Sequence, residues 1–180
     1  GGVLLRLIID EAHVIGRVPK NPLIAAFLRR GRERAGLILH DRRGGIRPMA
    51  RALSRGQVGL QVIDQNQRLR GVFAPFFGRV ASCERAAATL AVRRGYPLFL
   101  GVALRVGGGF RFRMVGKPPF VPERTGDVDA DVRRAIVAIN RLAEELVREF
   151  PDQYLWIHDR YRTRPPDERA VPAAKGIDQN

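Results

Sequence analysis

From Asp127 to Pro151, apolar residues recur at steps of three and four, through Val132, Ile136, Ile139, Ala143, Leu146 and Phe150. That period predicts one long amphipathic helix with a stripe turned toward a core. Elsewhere the pattern shortens. Val58 to Ile63 is an apolar run of strand length, Leu37 to His40 reads as a short strand, and Tyr96 to Val106 and Phe110 to Val115 read as strands joined by a Gly107-Gly108-Gly109 hairpin. Between them lie helices. Asn21-Pro22 is a helix start, the amide capping free backbone N–H groups and Pro fitting the first turn, with the helix ending near Gly36. Arg47 to Ser54 forms a second helix, ending near Gly56. A third runs from a Ser82 cap to Arg94, its Ala86, Ala87, Ala88 and Ala91 allowing close packing and Gly95 stopping it. Strands alternating with helices predict an α/β fold, with helices packed on a mostly parallel sheet and a hairpin near its edge. Residues 1–166 form one domain, and 167–180, polar with Pro and Lys, read as a disordered tail.

Composition adds the charge. The 180 residues carry 32 Lys+Arg against 18 Asp+Glu, a net charge of +14. Nine arginines fall between Arg29 and Arg55 with only Glu33 and Asp41 against them. Anionic partners follow: nucleic acid, lipid headgroups or an acidic carrier protein, although many single arginines are adequately explained as solvated. The lone Cys83 excludes an internal disulfide framework and fits a reducing compartment. Val3 to Ile9, broken by Arg6, is too short to span a bilayer, which takes about 20 apolar residues. The chain is therefore soluble or peripheral, or an N-terminal portion is missing.

Several chemistries are excluded by spacing. Neither Ser54 nor Ser82 sits in a Gly-x-Ser-x-Gly elbow; there is no Walker loop, no dinucleotide fingerprint and no metal-ligand cluster, so no cofactor or metal is expected. The triple glycine is followed by strand-like residues rather than a helix, which favours a plain turn over a phosphate cradle. Two runs remain. Asp64-Gln65-Asn66, directly after an apolar strand, leads into Gly71-Val72-Phe73-Ala74-Pro75-Phe76-Phe77-Gly78 and sets polar groups beside an apolar surface. Near the end, Tyr154, Trp156 and Tyr161 alternate with His158, Arg160, Arg162 and Arg164, a pattern suited to a headgroup interface and equally to stacked nucleic acid. His158 reads as a hydrogen-bonded structural histidine.

Together these runs resemble the bacterial lipid A biosynthesis (late) acyltransferase family over roughly residues 14 to 166. The resemblance implies a glycerolipid acyltransferase-like fold. It also implies an O-acyltransferase that moves a fatty acyl chain from acyl carrier protein or acyl-CoA to a hydroxyl of a lipid A precursor, an anionic glycolipid, at the cytoplasmic face of the inner membrane. Carried over by position, Arg17 would contact a substrate phosphate and Asn21 the same region, although Asn21 also serves as a helix cap. Asp64 would orient the catalytic histidine or bind the acceptor sugar, with Gln65 and Asn66 beside it; the alternative is a turn acid satisfying loop amides. Phe76 and Phe77 would wall an acyl channel, or else fill the core, with Gly78 closing the turn. Arg105, on an otherwise apolar strand, would bind substrate, its burial being costly unless paired. Trp156, Arg160, Arg162 and Arg164 would face headgroups. Where the family has Ala-x-Thr, this chain has Ala81-Ser82-Cys83.

The chemistry needs a base and an orienting acid. In the family these are a His and, five positions on, an Asp or Glu, yet here the residues five after His13, His40 and His158 are Val18, Gly45 and Thr163. The expectation is a C-terminal portion of an acyltransferase domain, beginning after the dyad and inactive alone. Two alternatives are an acyltransferase acting on another glycolipid, such as a phosphatidylinositol mannoside, and a basic nucleic-acid-binding domain; on the main reading no nucleic acid is expected.

Overall fold

The computed structural model describes residues 11–16, 19–41 and 44–166. Strand β1 (Ala12–Gly16) lies at the centre of a three-stranded parallel sheet, between β2 (Leu37–Asp41) and β3 (Val58–Leu60). Helix α1 (Pro22–Arg34) connects β1 to β2, and α2 (Ile46–Ser54) connects β2 to β3, as parallel pairing requires. The expected cap is present: the Asn21 side chain accepts from Leu23 N at 2.9 Å and Ile24 N at 3.3 Å. Strand β3 is shorter than the apolar run. After Leu60 the chain leaves the sheet, and the Gln61 side chain accepts the N–H of Ala87 at 2.7 Å, tying the end of β3 to the next helix.

The second half is built on an antiparallel pair that the sequence reading treats as a turn. β4 (Val72–Phe76) pairs with β5 (Arg79–Cys83), from Val72↔Cys83 to Phe76↔Arg79. Antiparallel pairs alternate between bonded and unbonded positions. With Phe76↔Arg79 closing the turn, Pro75 falls where no ladder N–H is needed, and its carbonyl accepts from Asn140 Nδ2 at 2.8 Å. Ser82 is therefore not a helix cap. It is a buried strand residue whose hydroxyl donates to Gln67 O at 2.7 Å. Helix α3 (Ala86–Arg94) starts later, with the Glu84 carboxylate accepting from Arg85 N and Ala86 N, and ends at Gly95 in the left-handed conformation.

Strands β6 (Gly101–Arg105) and β7 (Phe112–Gly116) form the expected hairpin around the triple glycine, shorter than the apolar runs predicted. Helix α4 (Val128–Glu149) follows, its first turn capped by Asp127, and a 3-10 turn (Pro151–Gln153) leads into the C-terminal segment. The core lies where α3 and α4 cover the β4–β5 hairpin: Ala74, Phe76, Ala81, Cys83, Ala88, Val92, Val132, Ala135 and Ile136 are all buried together. The α/β class holds. Its strands, however, are divided among a parallel sheet and two hairpins.

Candidate functional site

The loop from Gln61 to Gly71 joins the parallel sheet to the β4–β5 hairpin, and its polar residues are held from two sides. Gln67 is tied to β5, its N–H donating to Ser82 O at 3.0 Å and its side-chain amide to Glu84. Gln65 and Asn66 are tied to residues 158–163. The Gln65 carbonyl accepts from Arg160 Nη1 at 2.5 Å, and the Asn66 N–H donates to His158 Nε2 at 3.0 Å. Asn66 also exchanges two bonds with Thr163, its Nδ2 donating to the hydroxyl at 3.1 Å and its Oδ1 accepting the Thr163 N–H at 3.0 Å. Asp64 stands at the head of this arrangement with Oδ1 buried and unpartnered. Gly71 closes the loop where no side chain fits, since a Cβ there would collide with Ser82 Oγ.

Beside the loop is a group of aromatic rings. Phe77 and Gly78 make the two-residue turn of the hairpin, both with positive φ (47° and 74°), the geometry of a type I′ turn that normally takes Asn-Gly. A phenylalanine there is strained. Its N–H is taken by Glu144 Oε1 at 2.8 Å, and its ring is held edge-on to Phe76, beside Trp156 and under the Arg148 guanidinium. Trp156 packs edge-on to Tyr154, and Tyr161 donates to Phe76 O at 2.8 Å with Arg79 stacked on its face. Burial, then Asp64 and Tyr161, push the Tyr154 phenol up against the opposing pull of Arg160. Burial likewise raises Tyr161, opposed by Arg79 and Arg160. Acid, guanidinium and phenols thus share one electrostatic neighbourhood.

The predicted residues divide among several places. Asp64, Gln65, Asn66, Phe76, Phe77 and Gly78 come together with Trp156. Phe76 is buried in the core, whereas Phe77 is half-buried beside it. Arg160 corrects an expectation: it is 3% exposed, its guanidinium bonded to Gln65 O and Cys83 Sγ and stacked on Phe76, so it does not face headgroups. Trp156, Arg162 and Arg164 are exposed. Arg105 is exposed too, stacked over Phe110 and Phe112 and bracketed by the Gln153 amide, so the premise of a buried strand cation does not hold. Asn21 is an exposed cap on the parallel sheet's side of the molecule. Arg17 lies outside the described residues.

His158 is hydrogen-bonded as expected, but its partner is the Asn66 amide, 92 residues away. Glu144 and Asn140, which fix the Phe77 turn and the Pro75 carbonyl, were missed because on paper they are polar positions of a surface helix. The other histidines form a pair on neighbouring strands, His13 Nδ1 lying 2.8 Å from His40 Nε2, with His40 held below the usual imidazole range by burial and by His13. Among the described residues no group of three potential ligands could hold a metal ion, and no helix is long and apolar enough to cross a membrane. Two open depressions, of about 440 and 510 Å³, lie elsewhere, one beside Val92, Arg124 and Asp131 and the other beside Arg105 and Gln153.

The family described as bacterial lipid A biosynthesis acyltransferase matches residues 1–163. The chain is 31% identical over 151 residues to the lipid A biosynthesis lauroyltransferase of Escherichia coli (strain K12), covering 81% of this chain and 46% of that protein. It is 28% identical over 158 residues to the lipid A biosynthesis palmitoleoyltransferase of the same organism and, equally, to a lipid A biosynthesis acyltransferase of Shigella flexneri, covering 86% of this chain and 49% of each. The chain spans about half the length of the curated relatives it matches.

Proposed function

This chain belongs to the bacterial lipid A biosynthesis acyltransferase family, and from that premise we propose that it forms the acceptor-side part of an O-acyltransferase acting on a lipid A precursor at the cytoplasmic face of the inner membrane. The donor is an acyl carrier protein or coenzyme A thioester. In the reaction a base removes the proton of the acceptor hydroxyl as its oxygen attacks the thioester carbonyl; the tetrahedral intermediate collapses, and the departing thiolate takes the proton back. None of the chain's three histidines is followed at the fifth position by an acid, so none of them is assigned as that base. What supports the reading is one observation above the rest: a buried Asp64 oxygen without a partner, on an acid close enough to raise the Tyr154 phenol, whose ring packs on Trp156.

An unpartnered buried carboxylate oxygen is costly unless a donor arrives, and a sugar hydroxyl is such a donor. Asp64 is therefore assigned to the acceptor. Phe77 walls the acyl chain. Leu155, Trp156 and Ile157, respectively 59%, 59% and 91% exposed, form an apolar tip, and with Arg162 and Arg164 they meet the headgroup layer. Arg17, Asn21 and Arg105 are left as contacts to anionic groups of donor or acceptor, consistent with the basic surface.

The test is acyl transfer from radiolabelled acyl carrier protein to a purified lipid A precursor by the protein that carries this chain. Label is expected in the glycolipid acceptor, as a chromatographically shifted band distinct from free fatty acid. Salt-sensitive oligonucleotide binding without any labelled lipid would contradict the proposal.

A further inference from the structure

We propose that His158, Arg160 and Thr163 are positioning residues for the Asp64 loop, a C-terminal clasp that fixes the backbone of Gln65 and Asn66 so that the Asp64 carboxylate stays aimed at the acceptor. The aim of Asp64 rests on the function proposed above; the clasp itself does not.

Four observations carry it. First, three residues within one six-residue segment hold two consecutive loop residues: Arg160 takes Gln65 O, His158 takes Asn66 N, and Thr163 takes both ends of the Asn66 amide. Residues 64 to 66 lie outside any strand, so no ladder holds them. Second, Arg160 is buried at 3% exposure, yet among the described residues no carboxylate lies at ion-pair distance from it. A buried guanidinium bonded only to a carbonyl and a thiol, stacked on a ring and with its Nε left without a partner, is an expensive way to fill a core. Third, the clasp leaves Asp64 Oδ1 without a partner, so the acid is held nearby but not consumed by the fold. Fourth, Arg160 and Asp64 act in opposite directions on the same Tyr154 hydroxyl, which places both charges in one neighbourhood.

His158 must be neutral at Nε2 to accept the Asn66 N–H, which fixes its proton on Nδ1. Thr163 is the least disruptive point of attack, being only half-buried and near the end of the described chain. Thr163→Val removes the hydroxyl and keeps the shape; Thr163→Ser keeps the hydroxyl. His158→Ala removes the acceptor, whereas His158→Gln restores one.

The experiment reads two quantities in the protein that carries this chain: hydrogen exchange of the peptide containing Asn66, and kcat and KM for the lipid acceptor. Thr163→Val and His158→Ala are expected to speed exchange at Asn66 and to lower kcat about tenfold, with KM within about twofold and the melting temperature unchanged; Ser and Gln restore both readouts. Exchange and kcat at wild-type values would overturn the clasp. Faster exchange with kcat lowered only in proportion to the folded fraction would overturn the positioning role. If the wild-type protein transfers no acyl group, the functional reading fails on its own, and Asn66 exchange still decides for or against the clasp.

Discussion

Helices α4 and α1 are both amphipathic, yet α4 buries Val132, Ala135, Ile136, Asn140, Leu146 and Val147, whereas α1 buries none of its residues and leaves Leu23, Ile24 and Phe27 exposed. The difference is one of partners rather than of pattern. α4 lies across the β4–β5 hairpin and α3, whose small residues Ala74, Ala81, Ala88 and Ala91 let it approach closely. Among the described residues, α1 packs chiefly on β2, at the edge of a three-stranded sheet. Periodicity thus tells which face of a helix is apolar; whether anything covers that face depends on elements far away in sequence. The candidate site belongs to the well-covered half, and there a rigid scaffold can hold a loop.

Truncating apolar side chains on the two helices should have very different costs. Ile136→Ala in α4 is expected to lower stability by about 2–5 kcal/mol, while Leu23→Ala or Phe27→Ala in α1 should stay within about 0.5 kcal/mol; urea unfolding of the three variants checks both. Equal losses would mean that α1 is packed as tightly as α4. Gly71→Ala is next. Its Cβ would meet Ser82 Oγ, so strand and loop must part, at a cost of about 1–3 kcal/mol, read from the same unfolding curves.

Phe77→Asn acts in the other direction. Asparagine accepts the left-handed turn that phenylalanine resists, so stability is expected to rise by about 0.5–1 kcal/mol while acyl transfer falls through loss of the ring. A variant that gains stability and keeps full activity would remove Phe77 from the site.

The smallest effect is a pH dependence at the start of α4. Burial pushes the Asp131 carboxyl up, but bonds from Thr125 N at 2.9 Å and Thr125 Oγ1 at 2.8 Å, with the Arg134 guanidinium, outweigh it and hold the group below the ordinary carboxylate range. A depressed folded-state value contributes stability above the unfolded pKa of about 3.9 and loses it as pH falls toward the folded one. The melting temperature of wild type over Asp131→Asn should therefore lead at neutral pH, with the lead shrinking below about pH 4.

Much of this architecture was legible in the residues. The stripe from Val132 to Phe150, the Asn21 cap, the stop at Gly95 and the triple-glycine hairpin each rest on local physics, and local physics is what a sequence displays. The β4–β5 hairpin was not legible. Pro75 argues against a strand, and Phe77-Gly78 replaces the Asn-Gly that would announce the turn; both exceptions are held by α4, through Asn140 and Glu144. Arg160 failed for a similar reason. Alternating rings and cations read the same whether they face lipid or fold inward, and the Gln65 carbonyl that draws Arg160 inside is 95 residues away. The Asp64-Gln65-Asn66 run was singled out from its position after an apolar strand, but the partners of its amides could be found only in three dimensions.

One measurement bears most directly on the site. Asp64→Asn keeps the shape of the side chain and removes its charge, and the transfer of labelled acyl groups to a lipid A precursor can be followed in the protein that carries this chain. Turnover is expected to fall about a hundredfold with an unchanged melting temperature. Turnover equal to wild type would contradict the place given to Asp64 and, with it, the site.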